Sequence, residues 1–86
     1  MRYRILIVRS AERELSGLPQ SAHQRVVRAI LRLADVPHPR TARKLSYGPG
    51  WRLRVGDYRI LYTVDDSGRA ITVYAVGHRR DVYRRQ

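Results

Sequence analysis

The stretch from Trp51 to Gly77 constrains the fold more than any other part of the chain. It contains three runs in which apolar and polar residues alternate: Trp51 to Val55, Tyr58 to Val64 and Ala70 to Gly77. A period of two is the pattern of a strand with one face buried. Gly56-Asp57, between the first two runs, is a two-residue hairpin signal, and Asp65-Asp66-Ser67-Gly68 is a longer turn. With Gly56 and Asp57 at the centre of the first turn, Val55 lies opposite Tyr58, Arg54 opposite Arg59 and Arg52 opposite Leu61. With Asp65 to Gly68 as the second loop, Val64 faces Arg69 and Arg59 faces Tyr74. One face of the sheet is then Trp51, Leu53, Val55, Tyr58, Ile60, Tyr62, Val64, Ile71, Val73 and Ala75. An apolar face of that extent has to be covered by other elements.

The N-terminal half supplies the cover. Tyr3 to Val8 reads as a first strand. Ser10 is placed to cap a short helix, with Glu12 and Glu14 in its first turns and Ala11, Leu15 and Leu18 at helical spacing. Gly17 and Pro19 interrupt it, and Pro19 suits the opening of a second helix. From Gln20 to Ala34 the period is helical, with Val26, Ile30 and Leu33 in one stripe and Arg25, Arg28 and Arg32 on the solvent side. Pro37-His38-Pro39 ends the helix, and residues 36–50 read as a loop carrying the basic patch Arg40, Arg43 and Lys44. The order β-α-α-β-β-β predicts an α+β fold: two N-terminal helices packed on one face of a largely antiparallel four-stranded sheet, in one domain spanning residues 1–86. A chain of 86 residues buries only about two-thirds of its unfolded surface, which leaves room for one thin core and no enclosed cofactor cavity.

Charge narrows the partners. Lys and Arg total 18 against 7 Asp and Glu, giving a net charge of +11 and a pI near 11.4. Such a field favours polyanions: nucleic acid, the ribosome or an acidic protein. The chain has no cysteine, which excludes a disulfide scaffold and a thiolate zinc site and makes the cytoplasm the expected location. No apolar run approaches the roughly 18 residues of a membrane helix, so no membrane partner is expected. Met1 to Val8 is too short for the apolar region of a signal peptide and reads as a strand.

The second face of the sheet points to a more specific ligand. Alternation places Arg52, Arg54, Arg59, Leu61, Thr72, Tyr74, Val76 and His78 there. Like charges directly opposite one another on a sheet cost about 0.2–1 kcal/mol, and the nearest carboxylate in sequence, Asp57, sits in the turn. Three guanidinium groups converging beside Tyr74 and His78 suit an anion, and a phosphodiester fits. Arginine forks pair two phosphate oxygens, and aromatic rings stack bases.

The sequence WRLRVGDYRILY, from Trp51 to Tyr62, resembles the central hairpin of the RelE/ParE toxin superfamily. VGHRRDVYR, from Val76 to Arg84, resembles that family's C-terminal signature, and SAERELSGLP, from Ser10 to Pro19, its first helix and helix break. The resemblance implies a RelE-like fold and a toxin of a type II toxin–antitoxin system. RelE-type members are mRNA interferases, cleaving mRNA in the ribosomal A site, whereas ParE-type members inhibit DNA gyrase. The RelE-type pattern is a basic pair on one strand, an arginine on the next, and an arginine and a tyrosine near the C-terminus. Carried over, these fall on Arg52 and Arg54, Arg59, Arg79 and Tyr83.

In such an enzyme the RNA's 2′-hydroxyl attacks the adjacent phosphorus, leaving a cyclic 2′,3′-phosphate and a free 5′-hydroxyl, with no metal or cofactor. The resemblance then implies Arg59 and Arg79 on the phosphate oxygens, Arg52 and Arg54 positioning and neutralising, and Tyr83 stacking on a nucleotide. One departure matters: the basic pair is often lysine in the family, and arginine, with a pKa above ~12, is a poor general base. His78, with an ordinary histidine pKa near ~6.5, is the leading substitute, and Tyr83 is the other. Arg40, Arg43, Lys44, Tyr74 and Arg80 are expected to contact RNA outside the reacting centre. The resemblance also implies a cognate RelB-like antitoxin as partner, besides mRNA and the ribosome. Two other functions fit the same chain: a ParE-like gyrase inhibitor without nuclease activity, and an RNA-binding module without catalysis.

Overall fold

In the computed structural model, which describes residues 2–80, the elements follow the predicted order with one addition. They are β1 (Arg4–Ile7), α1 (Arg9–Ser16), α2 (Gln20–Arg32), β2 (Ala42–Lys44), β3 (Trp51–Val55), β4 (Tyr58–Asp65) and β5 (Ala70–His78). They form one five-stranded sheet in the order β1-β5-β4-β3-β2, antiparallel except where β1 runs parallel to β5.

The helices start differently from one another. α1 begins at Arg9, a residue before the expected Ser10 cap; Val8 takes the cap position with no side-chain hydrogen bond, and its carbonyl accepts the Glu12 N–H at 2.9 Å. Pro19 does open α2, its carbonyl accepting the His23 N–H at 2.8 Å. Ala11 and Leu15 from α1, and Val26 and Ile30 from α2, pack with Leu33 on Leu53, Ile60, Tyr62, Ile71 and Val73 of the sheet. The Glu14 carboxylate joins the layers by accepting the Val76 N–H at 2.9 Å. Tyr62 is fully buried, its hydroxyl donates to the Pro37 carbonyl at 2.9 Å, and burial pushes its pKa up to about 12. His38, which follows, rests on Trp51 with ring centroids 4.5 Å apart. Together these contacts fasten the chain between α2 and β3.

The sheet has five strands rather than the four expected from sequence. The addition, β2, lies within the segment read as a loop and pairs Ala42 with Leu53, Arg43 with Arg52 and Lys44 with Trp51. Three residues are too few to show an alternation. Its return to β3 is made by a closed loop in which the Leu45 N–H donates to the Gly50 carbonyl at 3.1 Å. Gly50 has φ 104°, and a Cβ there would stand 2.5 Å from the Tyr62 carbonyl oxygen, so glycine is required.

The β3–β4 register is the one the two-residue turn dictates, with Val55 opposite Tyr58, Arg54 opposite Arg59 and Arg52 opposite Leu61. The β4–β5 register is not. Arg69 adopts φ 53° and joins the loop, so Asp65 pairs with Ala70 and Val64 faces Ile71 instead of Arg69. A bulge then intervenes: Tyr62 faces Val73 and Leu61 faces Ala75, leaving Tyr74 as the extra residue. Beyond it the two faces of β5 exchange. Val76 belongs to the core, Ala75 is buried against Leu61 on the other side, and Arg59 faces Gly77 rather than Tyr74.

Candidate nucleic-acid interface

The sheet face turned away from the helices carries the arginines. Alternation along β3 puts Arg52 and Arg54 there, and the tight turn brings Arg59 across from Arg54. β2 adds Arg43 directly opposite Arg52, and the chain entering β2 adds Arg40 and Thr41. These residues line a cleft of about 280 Å³ that holds five guanidinium groups and no carboxylate among the described residues. Backbone carbonyls orient two of the five. The Arg43 guanidinium donates to the Ala42 carbonyl at 2.9 Å, and that of Arg59 to the Tyr58 carbonyl at 3.2 Å. Neither contact neutralises charge.

Two like-charged pairs therefore face each other across adjacent strands, Arg43 with Arg52 and Arg54 with Arg59. Each arrangement opposes folding by about 0.2–1 kcal/mol. An anion with several oxygens reverses the sign of that interaction, and the planar donor forks of arginine match a phosphate.

The remaining candidates are distributed around this cleft. The Arg79 N–H donates to the Asp57 carbonyl at 2.8 Å, so its backbone lies against the turn that joins Arg54's strand to Arg59's. Arg80 follows it and is exposed. Tyr74 is on the arginine face but beside Leu61 and Ala75, displaced from Arg59 by the bulge. Lys44 is not in the cleft: it pairs with Trp51, on the same side as the buried Ala42, and faces away.

His78 is not on the arginine face either, because the bulge reverses the alternation before it. It lies opposite Tyr58, the two rings edge to face at 5.9 Å, in a groove bordered by Arg13, Glu14 and Leu18. Its Nδ1 accepts the Arg80 N–H at 3.2 Å. Tyr83 lies outside the described residues. Thr41, and the face-to-face placement of Arg43 with Arg52, escaped the sequence reading because both depend on β2. Among the described residues no group of three His, Cys, Asp or Glu side chains is placed to hold a metal ion. No helix there is long and apolar enough to cross a membrane.

The sheet is thus covered by two helices on one side and strongly cationic on the other. The family model of the ParE toxin of the type II toxin–antitoxin system matches residues 5–83, and the chain belongs to the RelE/ParE toxin superfamily. It is 29% identical over 91 residues to Toxin RelG of Mycobacterium tuberculosis, a match covering 99% of this chain and 100% of that one. Among solved structures it is similar to the toxin–antitoxin complex RelBE2 of Mycobacterium tuberculosis, with a TM-score of 0.81 and 27% identity over 91% of this chain and 99% of the other. It is equally similar to the archaeal RelE–RelB complex of Pyrococcus horikoshii OT3, with a TM-score of 0.81 and 29% identity over 92% and 97%. The fold is thus the RelE-like α+β arrangement with two helices on a mostly antiparallel sheet.

Proposed function

We propose that this toxin is an endoribonuclease that cuts mRNA on the ribosome and so arrests translation. The observation that carries the reading is the cleft on the open face of a RelE-like sheet, which among the described residues holds five arginines and no carboxylate. The RelE-type names of the relatives support it. In the reaction the 2′-oxygen forms a bond to the adjacent phosphorus as the bond to the 5′-oxygen breaks. The 2′-hydroxyl loses a proton and the departing 5′-oxygen gains one. Arg59 and Arg79 stabilise the extra charge on the phosphorane, and Arg52 and Arg54 hold the strand in line for attack.

Arg40 and Arg43 extend the phosphate track, Tyr74 meets a base, and Arg80 makes an outlying backbone contact. His78 acts by position, holding through the Arg80 N–H the turn that carries Arg79. Proton transfer then falls to Tyr83. No metal or cofactor takes part. The relatives solved as RelB complexes support a RelB-like antitoxin as partner, and the charge of +11 suits an acidic one. The reaction belongs in the cytoplasm, where its messages are.

The family model's ParE description favours a second reading, inhibition of DNA gyrase without RNA cleavage. Primer-extension mapping of messages shortly after induction separates the two. The nuclease gives new 5′ ends within translated codons, lost in Arg59→Ala. The gyrase inhibitor leaves messages intact while growth stops.

A further inference from the structure

The bulge in β5 and the 45–50 loop build a second recess on the same face, about 880 Å³ in volume. Leu45, Tyr47, Pro49, Leu61 and Tyr74 give it apolar walls, and Arg52 borders both this recess and the arginine cleft. The recess is preformed. The Tyr74 hydroxyl donates to the Pro49 carbonyl at 3.2 Å, pinning the loop to the sheet, and the Leu45–Gly50 hydrogen bond closes the loop's base. At its rim Tyr47 is 92% exposed, a large ring that gains nothing from burial in the free protein.

We propose that this recess receives one unpaired nucleobase of the RNA strand whose phosphate lies in the arginine cleft, with Tyr47 and Tyr74 as its stacking surfaces. The proposal rests on the RNA reading given above. A strand held at Arg52 by its phosphate carries sugar and base directly beside that phosphate, and the apolar recess begins where the charge ends. The face of an aromatic ring accepts any base, so the recess supplies affinity and fixes the register of the strand without selecting a sequence. An apolar side chain of an antitoxin is the competing occupant. The continuity through Arg52 favours the nucleotide, whose charged and apolar parts match the two recesses in order.

Fluorescence anisotropy with a short, single-stranded, 2′-O-methyl RNA tests this, using the full-length protein and RNAs in which one base at a time is replaced by an abasic site. One abasic position should weaken binding about tenfold, the scale of a single base–aromatic stack. Tyr47→Ala should lose the same factor on intact RNA and become indifferent to that abasic site. Tyr47→Phe should bind as the wild type does, and unchanged melting temperatures confirm folding. The proposal is overturned if Tyr47→Ala binds intact RNA normally, as an antitoxin pocket requires, or weakens intact and abasic RNA equally. In both of those cases the RNA reading survives provided Arg54→Ala still weakens binding. If Arg54→Ala changes nothing, the RNA reading fails and this proposal with it.

Discussion

Replacing Arg54 by glutamine should make the protein more stable and its grip on RNA weaker. Arg54 stands directly opposite Arg59, and the Arg43–Arg52 pair repeats the arrangement one strand away. Two unit charges about 7 Å apart in water repel by about 0.6 kcal/mol before screening. With a screening length of about 30 Å at 10 mM salt, about 0.5 kcal/mol remains; at 0.15 M, with about 8 Å, it falls to about 0.2–0.3 kcal/mol. A small domain gains about 4–8 °C per kcal/mol, so Arg54→Gln should melt about 2–4 °C higher at low salt and about 1–2 °C higher at 0.15 M. Arg54→Lys keeps the charge and should gain nothing. On RNA, losing a charge that meets a phosphate should lower the slope of log affinity against log salt by about 0.7. Thermal melts across a salt series, with both variants, read the first effect; anisotropy titrations over the same series read the second. A gain that Arg54→Lys shares, or one that salt leaves unchanged, refutes repulsion as the cause.

Other consequences concern the frame that holds the cleft. Val76→Ala should cost about 1.5–3 kcal/mol in urea unfolding, because the bulge turns Val76 into the core; without the bulge the residue would be exposed and the change nearly neutral. Tyr62→Phe should cost about 1–2 kcal/mol by leaving the part-buried Pro37 carbonyl without its donor. The Tyr62 pKa is about 12 in the folded protein against about 10 unfolded, so the folded state holds the proton longer. Its contribution is complete below pH ~10 and is lost as pH rises towards 12, and unfolding measured from pH 8 to 11.5 should show the wild type's advantage over Tyr62→Phe shrinking above pH ~10. Gly50→Ala should destabilise by about 1–3 kcal/mol, since φ 104° is unfavourable for alanine and the added Cβ would meet the Tyr62 carbonyl. A melting temperature equal to the wild type's would show that the loop can open without cost.

The sequence made the β3–β4 hairpin legible because Gly56, at φ 61°, and Asp57 permit only one short turn, and a short turn fixes every pair behind it. Arg52, Arg54 and Arg59 were therefore placed correctly on one face. A four-residue loop at Asp65 to Gly68 predicts a β4–β5 pairing that is off by one, because Arg69 takes a left-handed conformation that composition does not announce. The larger loss came from the bulge. A single extra residue, Tyr74, leaves the hydrophobic pattern plausible on both sides of itself while reversing the face of all that follows. His78 and Val76 changed sides for that reason. β2 was hidden by its length, and with it the part played by Arg43. Local turn chemistry is written in residue types; a bulge is settled by packing across strands, which a single sequence does not display.

The proposed function gives the cleft in-line attack by the RNA's own 2′-hydroxyl, and a purified translation system programmed with a defined message tests that step most directly. The message carries a single 2′-deoxynucleotide at the mapped cut site, and wild-type protein is compared with Arg59→Ala on deoxy and unmodified messages. Wild-type protein should leave a cyclic 2′,3′-phosphate and a 5′-hydroxyl on the unmodified message and no cut at the deoxy site. Arg59→Ala should turn over about 10²–10³-fold more slowly while remaining bound, the scale set by one lost transition-state donor. An uncut unmodified message, or cleavage that proceeds at the deoxy position, would contradict the assignment.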